Sequence, residues 1–221
     1  MGNETERMVG CYISRSCSII GTKVFVDGYI DFNQDQVVDF NTFIKSVYKH
    51  YGIGFLKFYK MDSLSKLAFL TSEILLMGSS LQQRYRPEDT GIVLINSSST
   101  LETDNRYYHT IEDKSNYFPS PAVFVYTLPN IMVGEIAIRN KIMGENITFV
   151  AEKYDPQFLY EYVSLLMSWK LKSCICGWVE FERTGSFYES FIYLVEKDDI
   201  TNRNIKFEAS FLGKNYHDLK V

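Results

Sequence analysis

The sequence predicts a layered α/β fold, and three observations carry that prediction. Stretches with helical spacing of apolar residues alternate along the chain with shorter stretches of strand character. One of these, Ile92-Val93-Leu94-Ile95, is apolar without a break, the pattern of a parallel strand buried on both faces. A chain of 221 residues, 46% of them hydrophobic, can bury a sizeable core without disulfides. The alternation implies a mainly parallel sheet covered by helices, with right-handed crossovers limiting its topology. Residues 1–221 read as a single domain, with no linker, repeat or low-complexity tract.

The elements follow in order. Cys11 to Ile20 reads as a first strand. Asn33 or Asp35 is placed to cap a helix with apolar positions Val37, Val38, Phe40, Phe43, Ile44, Val47 and Tyr48. Leu64, Leu67, Ala68, Ile74 and Leu75 mark a second helix, ended by Gly78-Ser79-Ser80. The Ile92–Ile95 strand closes at Asn96-Ser97-Ser98-Ser99, and residues 102–120 are polar and loop-like, with some helix. A helix starts near Asn130, and a strand covers 147–151. The next helix has Phe158, Tyr162, Leu165, Leu166 and Trp169 on one side. Strands at 173–181, 190–196 and 204–211 complete the pattern.

Composition narrows the function classes. Net charge is −4, the charges are interspersed, and no basic block or Arg-rich stripe suggests nucleic acid. No apolar run approaches the roughly 20 residues of a membrane span. Met1-Gly2-Asn3-Glu4-Thr5-Glu6-Arg7 is polar, lacks a signal core, and has Glu6 where a myristoylation signal needs Ser or Thr. A cytoplasmic location is expected, which leaves the Asn-x-Ser/Thr triplets at Asn3, Asn96 and Asn146 as chance matches. Cys11, Cys17, Cys174 and Cys176 are few and not paired as C-x-x-C, so they read as reduced core thiols. Sixteen Tyr and sixteen Phe suit a core or an interface.

Several motifs share one register. Lys60-Met61-Asp62 runs into Leu64-Ser65-Lys66-Leu67-Ala68. Pro119-Ser120-Pro121 is followed by Phe124 and by Thr127-Leu128-Pro129-Asn130. Gly134 and Gly144 precede Ile147-Thr148-Phe149-Val150-Ala151, and Cys176-Gly177-Trp178-Val179-Glu180 comes later. From about Met61 to Glu196 this series resembles the N-terminal half of a β-ketoacyl synthase of the thiolase superfamily. Within that family it is most similar to the short, chain-length-factor-type proteins of bacterial polyene and pigment clusters. The resemblance implies one thiolase-like half, with a five-stranded mixed sheet flanked by helices.

The departures from the family are chemical. Its nucleophilic cysteine would fall 23 residues after Asn130, where this chain has Lys153, or Glu152 with a one-residue slip. An acylated lysine is an amide and does not pass its acyl group on, and a carboxylate is no substitute for a thiol. The family's two assisting histidines belong to its second half. His50, His109 and His217 lie in no matching motif and read as surface residues.

Other motifs carry less. Asp31-Phe32-Asn33-Gln34-Asp35 imitates a calcium loop but has Gln36 and Thr42 where Gly and Glu are needed. Ser97-Ser98-Ser99-Thr100 lacks a nucleophile-elbow context and reads as a turn. Glu180, Glu182 and Glu196 read as edge or solvent-face charges. No metal or cofactor is implied.

The resemblance therefore implies a non-catalytic subunit that pairs with an active β-ketoacyl-ACP synthase in fatty acid or polyketide (aryl-polyene-like) biosynthesis. Its interface would be Ile147, Thr148, Phe149 and Val150, and its partner a full-length ketosynthase or a second copy of itself. An acyl carrier protein is a further candidate partner. The alternatives are an acyl or carrier-protein binding module, a self-associating structural domain, or an enzyme with chemistry relocated to Cys174, Cys176 or Lys153. The sequence shows no basic patch for an acidic carrier and no base beside those three residues.

Overall fold

The computed structural model describes residues 10–36, 38–182, 184 and 186–220; the N-terminal heptad with its Asn3 triplet, and Val37, lie outside them. Three strands come first, β1 (Tyr12–Ile20), β2 (Lys23–Val26) and β3 (Tyr29–Asn33). Helices α1 (Phe40–His50), α2 (Ser63–Leu76) and α3 (Leu81–Arg84) lead to β4 (Thr90–Asn96). Helices α4 (Leu101–Tyr108), α5 (Pro121–Phe124) and α6 (Ile131–Asn140) lead to β5 (Asn146–Val150). Then come α7 (Pro156–Trp169), β6 (Ser173–Phe181), β7 (Tyr188–Glu196) and α8 (Ala209–Asp218).

The strands form one mixed sheet of seven in the order β3-β2-β1-β7-β6-β4-β5, not five. Among the described residues, the two parallel pairs both involve β4, one with β5 and one with β6. The other four pairings are antiparallel, so the sheet is not mainly parallel. The two added strands form a hairpin at one edge. Its turn is Asp27-Gly28, both with positive φ, the sequence that closes a two-residue hairpin. Without β2 and β3, the expected five-stranded mixed unit remains, running from β1 to β5.

Two other expectations are corrected. Residues 204–211 are not a strand. Lys206 makes a single bridge to Tyr12, flanked by backbone bonds Ile13 N to Ile205 O and Phe207 N to Cys11 O. From Cys17 onward, β2 already occupies that flank of β1. The chain then turns helical, with Leu212, Tyr216 and Leu219 at helical spacing against the core. The first helix is capped by Asp39, which accepts from Thr42 N, rather than by Asn33, the last residue of β3, or Asp35.

Alternation splits the core in two. Ile92 and Leu94 of β4, Ile175 and Val179 of β6, and Ile192 and Leu194 of β7 face α1, α2 and α6. Val93, Ile95, Cys174, Cys176, Trp178, Phe191 and Tyr193 face α7 and α8. Neighbouring residues of β4 thus enter different cores, which is why its sequence is apolar without a break. All seven of its residues are buried. Among the described residues, no single helix is long and apolar enough to cross a membrane.

The three motif glycines have different reasons to be glycine. A Cβ on Gly177 would lie 1.9 Å from Phe191 O, and one on Gly144 would lie 2.2 Å from Thr90 O. Backbone fills both places. A Cβ on Gly134, inside α6, meets nothing within 4 Å. Gly177→Ala and Gly144→Ala should therefore each cost at least about 2 kcal/mol in urea unfolding, or prevent folding. Gly134→Ala should stabilise the chain by about 0.5–1 kcal/mol.

Candidate functional site

Strands β4, β5 and β6 all end on one side of the sheet, and the residues that follow build the site. After β5, Ala151 N donates to Asn96 O at 2.8 Å. Glu152 and Lys153 come next, both exposed. Tyr154 turns back into the core, and Asp155 caps α7 by accepting from Gln157 N and Phe158 N, each at 3.0 Å. Pro156 is the first helical residue, where its missing N–H costs nothing. Lys153 therefore stands in solvent on the approach to the helix, three residues before it begins.

Glu180 organises the turn after β4. It is buried and accepts from Ser97 N at 2.6 Å and from Ser98 N at 3.3 Å. Ser97 Oγ in turn donates to Glu152 O at 3.2 Å. The solvent-face reading of Glu180 is thus corrected. Glu196 is buried as well, in an ion pair with Arg84, and only Glu182 is exposed. Both buried carboxylates bond to groups more than 80 residues away in sequence.

Beneath Lys153 the space is filled from the far end of the chain. The Tyr154 ring lies 4.7 Å from that of Tyr216 on α8 and 5.9 Å from that of Trp178. Burial, and then the neighbouring Tyr193, raises the Tyr154 hydroxyl well above its ordinary pKa. Glu189, also buried, accepts from Trp178 Nε1 at 3.0 Å, Tyr216 Oη at 2.8 Å and Lys220 Nζ at 2.7 Å. Sequence reasoning missed this cluster. Its one local signal was Glu189, two residues before the apolar run 191–195.

The candidate nucleophiles are poorly placed for chemistry. All four cysteines are buried, and burial holds the Cys176 thiol well above its usual pKa, against the reactive thiolate. The three histidines are exposed, at the end of α1, just past α4, and on α8. Among the described residues, no group of three or more His, Cys, Asp or Glu is arranged to hold a metal.

The remaining motif residues are structural. Met61 is buried, and buried Asp62 caps α2 by accepting from Ser65 N and Thr103 Oγ1, each at 3.1 Å. Pro121 opens α5, and Pro129 leads into Asn130, the residue that precedes α6.

Strand β5 forms an edge of the sheet. Glu145 O accepts from Ile92 N and Ala151 N donates to Asn96 O, so the odd-numbered residues turn their backbone toward β4. Asn146, Thr148 and Val150 turn N–H and C=O outward. Apolar side chains flank the edge. On one side of the sheet, Phe158 and Tyr162 of α7 pack on Phe149, with ring centroids 5.0 and 4.8 Å away. Leu165 and Trp169 continue that stripe and are 57% and 68% exposed. On the other side, Arg139 and Asn140 tie α6 to Glu73 of α2. The opposite edge, β3, also exposes Tyr29 and Ile30, but it carries Asp31 and adjoins a bulge in its ladder with β2, both of which discourage pairing.

Burial raises the Asp62 carboxyl above its ordinary pKa. Asp62→Asn keeps a capping oxygen and should lie within about 1 kcal/mol of wild type at neutral pH in urea unfolding, whereas Asp62→Ala should lose about 1–2 kcal/mol. The folded chain holds this proton more tightly than the unfolded chain. Wild-type stability should therefore rise relative to Asp62→Asn as pH falls into the carboxylate range.

No protein-family model matches the sequence, and no curated protein does. Solved structures do match in fold. The chain is similar to the ishigamide ketosynthase/chain length factor, with TM-score 0.63 and 16% identity over 88% of this chain and 64% of that one. It is similar to a ketosynthase in complex with its chain length factor from Xenorhabdus doucetiae, at TM-score 0.54 and 15% identity over 86% and 79% of the two chains. A type II PKS acyl-carrier protein in complex with its ketosynthase bound to the hexaketide gives TM-score 0.54 and 15% identity over 85% and 62%. The chain thus has the ketosynthase fold and spans 64% of the length of the first of these chains.

Proposed function

We propose that this chain is a non-catalytic ketosynthase-fold subunit, similar to a chain length factor, that pairs with an active β-ketoacyl synthase in fatty acid or polyketide-type biosynthesis. One observation carries the reading. The fold is kept while the place counted for its nucleophile holds Glu152 and Lys153 in open solvent, with Tyr154 sealed beneath them by α8. Neither side chain forms a transferable thioester, and no histidine stands in a matching motif.

The partner surface in this reading is β5 with the apolar stripe beside it. An edge strand with outward N–H and C=O groups, bordered by the α7 stripe that ends in exposed Leu165 and Trp169, offers both backbone pairing and apolar burial. An active ketosynthase is preferred to a second copy because the solved complexes of similar fold join a ketosynthase to a chain length factor. Pairing across β5 extends the sheet into the partner and places the subunit beside the partner's reaction chamber, where it can shape product length. The reading gives the chain no metal or cofactor and places it in the cytoplasm.

Two measurements test this. Co-expression with a full-length ketosynthase, followed by size-exclusion chromatography with mass determination, should give a one-to-one heterodimer; monomer or homodimer alone contradicts it. The double variant Leu165→Ser/Trp169→Ala should melt within a few degrees of wild type. It should weaken the complex by roughly 30-fold or more, the loss of a hot-spot contact.

A further inference from the structure

Within the apolar band at the β5 edge, one polar atom stands unpaired. Thr148 Oγ1 is shielded from solvent and has no hydrogen-bond partner. Ile147 and Phe149 pack on the α7 side, so Thr148 turns to the opposite face of the sheet, under α6. On that same face, one strand inward, Asn96 Oδ1 is also buried and unpaired, although Asn96 Nδ2 donates to Ser99 O at 3.0 Å. Buried hydroxyls are as a rule paired, and a valine would fill the position of Thr148 without the polar atom. The hydroxyl is unexplained by the chain alone.

The backbone supplies the missing context. Thr148 is among the residues that turn N–H and C=O outward from the edge. An incoming antiparallel strand therefore meets it as a hydrogen-bonded pair, with one residue directly across. That residue's side chain emerges on the α6 face, its Cβ roughly 5 Å from that of Thr148. Thr148 is half-buried, and rotation about χ1 turns its hydroxyl toward the edge, where a hydroxyl on the opposing residue can bond it. A slip of one residue sends the opposing side chain to the α7 face, and a slip of two puts a different side chain opposite.

We propose that Thr148 sets the register of pairing at β5, and that the ketosynthase partner's edge strand carries Ser or Thr directly opposite it. The inference rests on the pairing proposed above and adds the feature that selects the partner strand. The apolar band supplies adhesion that tolerates sliding, whereas the buried hydroxyl is satisfied in one alignment.

The test measures the affinity of wild type, Thr148→Val and Thr148→Ser for the full-length ketosynthase, together with the melting temperature of each chain alone. Thr148→Val should melt at or above the wild-type temperature, since it removes an unpaired buried oxygen, yet bind roughly 5- to 30-fold more weakly. Thr148→Ser should bind within about threefold of wild type. If Thr148→Val binds as tightly as wild type or more so, the register role is overturned while the pairing stands. If wild type does not bind the ketosynthase, the pairing and the register role fall together. Self-association of wild type that Thr148→Val abolishes would overturn the ketosynthase as the occupant in favour of a second copy.

Discussion

Strand β4 is the member on which the rest of the structure depends. It has parallel neighbours on both sides, and its side chains feed both cores. Its end fixes the site: the turn at Ser97-Ser98 is gathered by Glu180, and Asn96 O holds Ala151, the residue after β5. Because β4 is satisfied on both flanks by β5 and β6, β5 is left with one side paired and one side open. The buried middle of the sheet and its unfinished edge are consequences of one arrangement.

That arrangement separates fold from chemistry. The strand-to-helix passage at 151–156 keeps a cap, a proline at the first helical position and a buried aromatic anchor. All three are supports for the backbone. The side chains that point outward, Glu152 and Lys153, have no buried partner. The polar groups that are buried here, Glu180 and Glu189, spend their acceptor capacity on N–H and O–H groups of the chain itself. Along β5, by contrast, the outward backbone groups of Asn146, Thr148 and Val150 have no strand beside them, at the edge proposed for association.

Much of this was legible in the sequence, for reasons that differ by element. The unbroken run at 92–95 identified β4 because burial on both faces leaves no polar position. Helices α2 and α7 were readable from apolar spacing, and α6 from the motif that runs into Asn130. The β2–β3 hairpin was not read, although Asp27-Gly28 is a strong turn signal, because polar 31–35 draws attention as a loop. Helix α8 was mistaken for a strand because Ile205 and Phe207 alternate just before it. The burial of Glu180, Glu189 and Glu196 was out of reach, since their partners are distant in sequence. So was the openness of the α7 stripe: sequence gave its residues but not which of them the sheet would cover.

The central claim is that β5 is completed by another chain. Residue-resolved amide hydrogen exchange, on the chain alone and after addition of a full-length ketosynthase, tests it most directly. The account predicts that the outward amides of Asn146, Thr148 and Val150 exchange rapidly in the free chain and are strongly protected in the mixture, while β3 is unchanged. Equal exchange at these three amides with and without the ketosynthase, or protection at β3 instead, would contradict it.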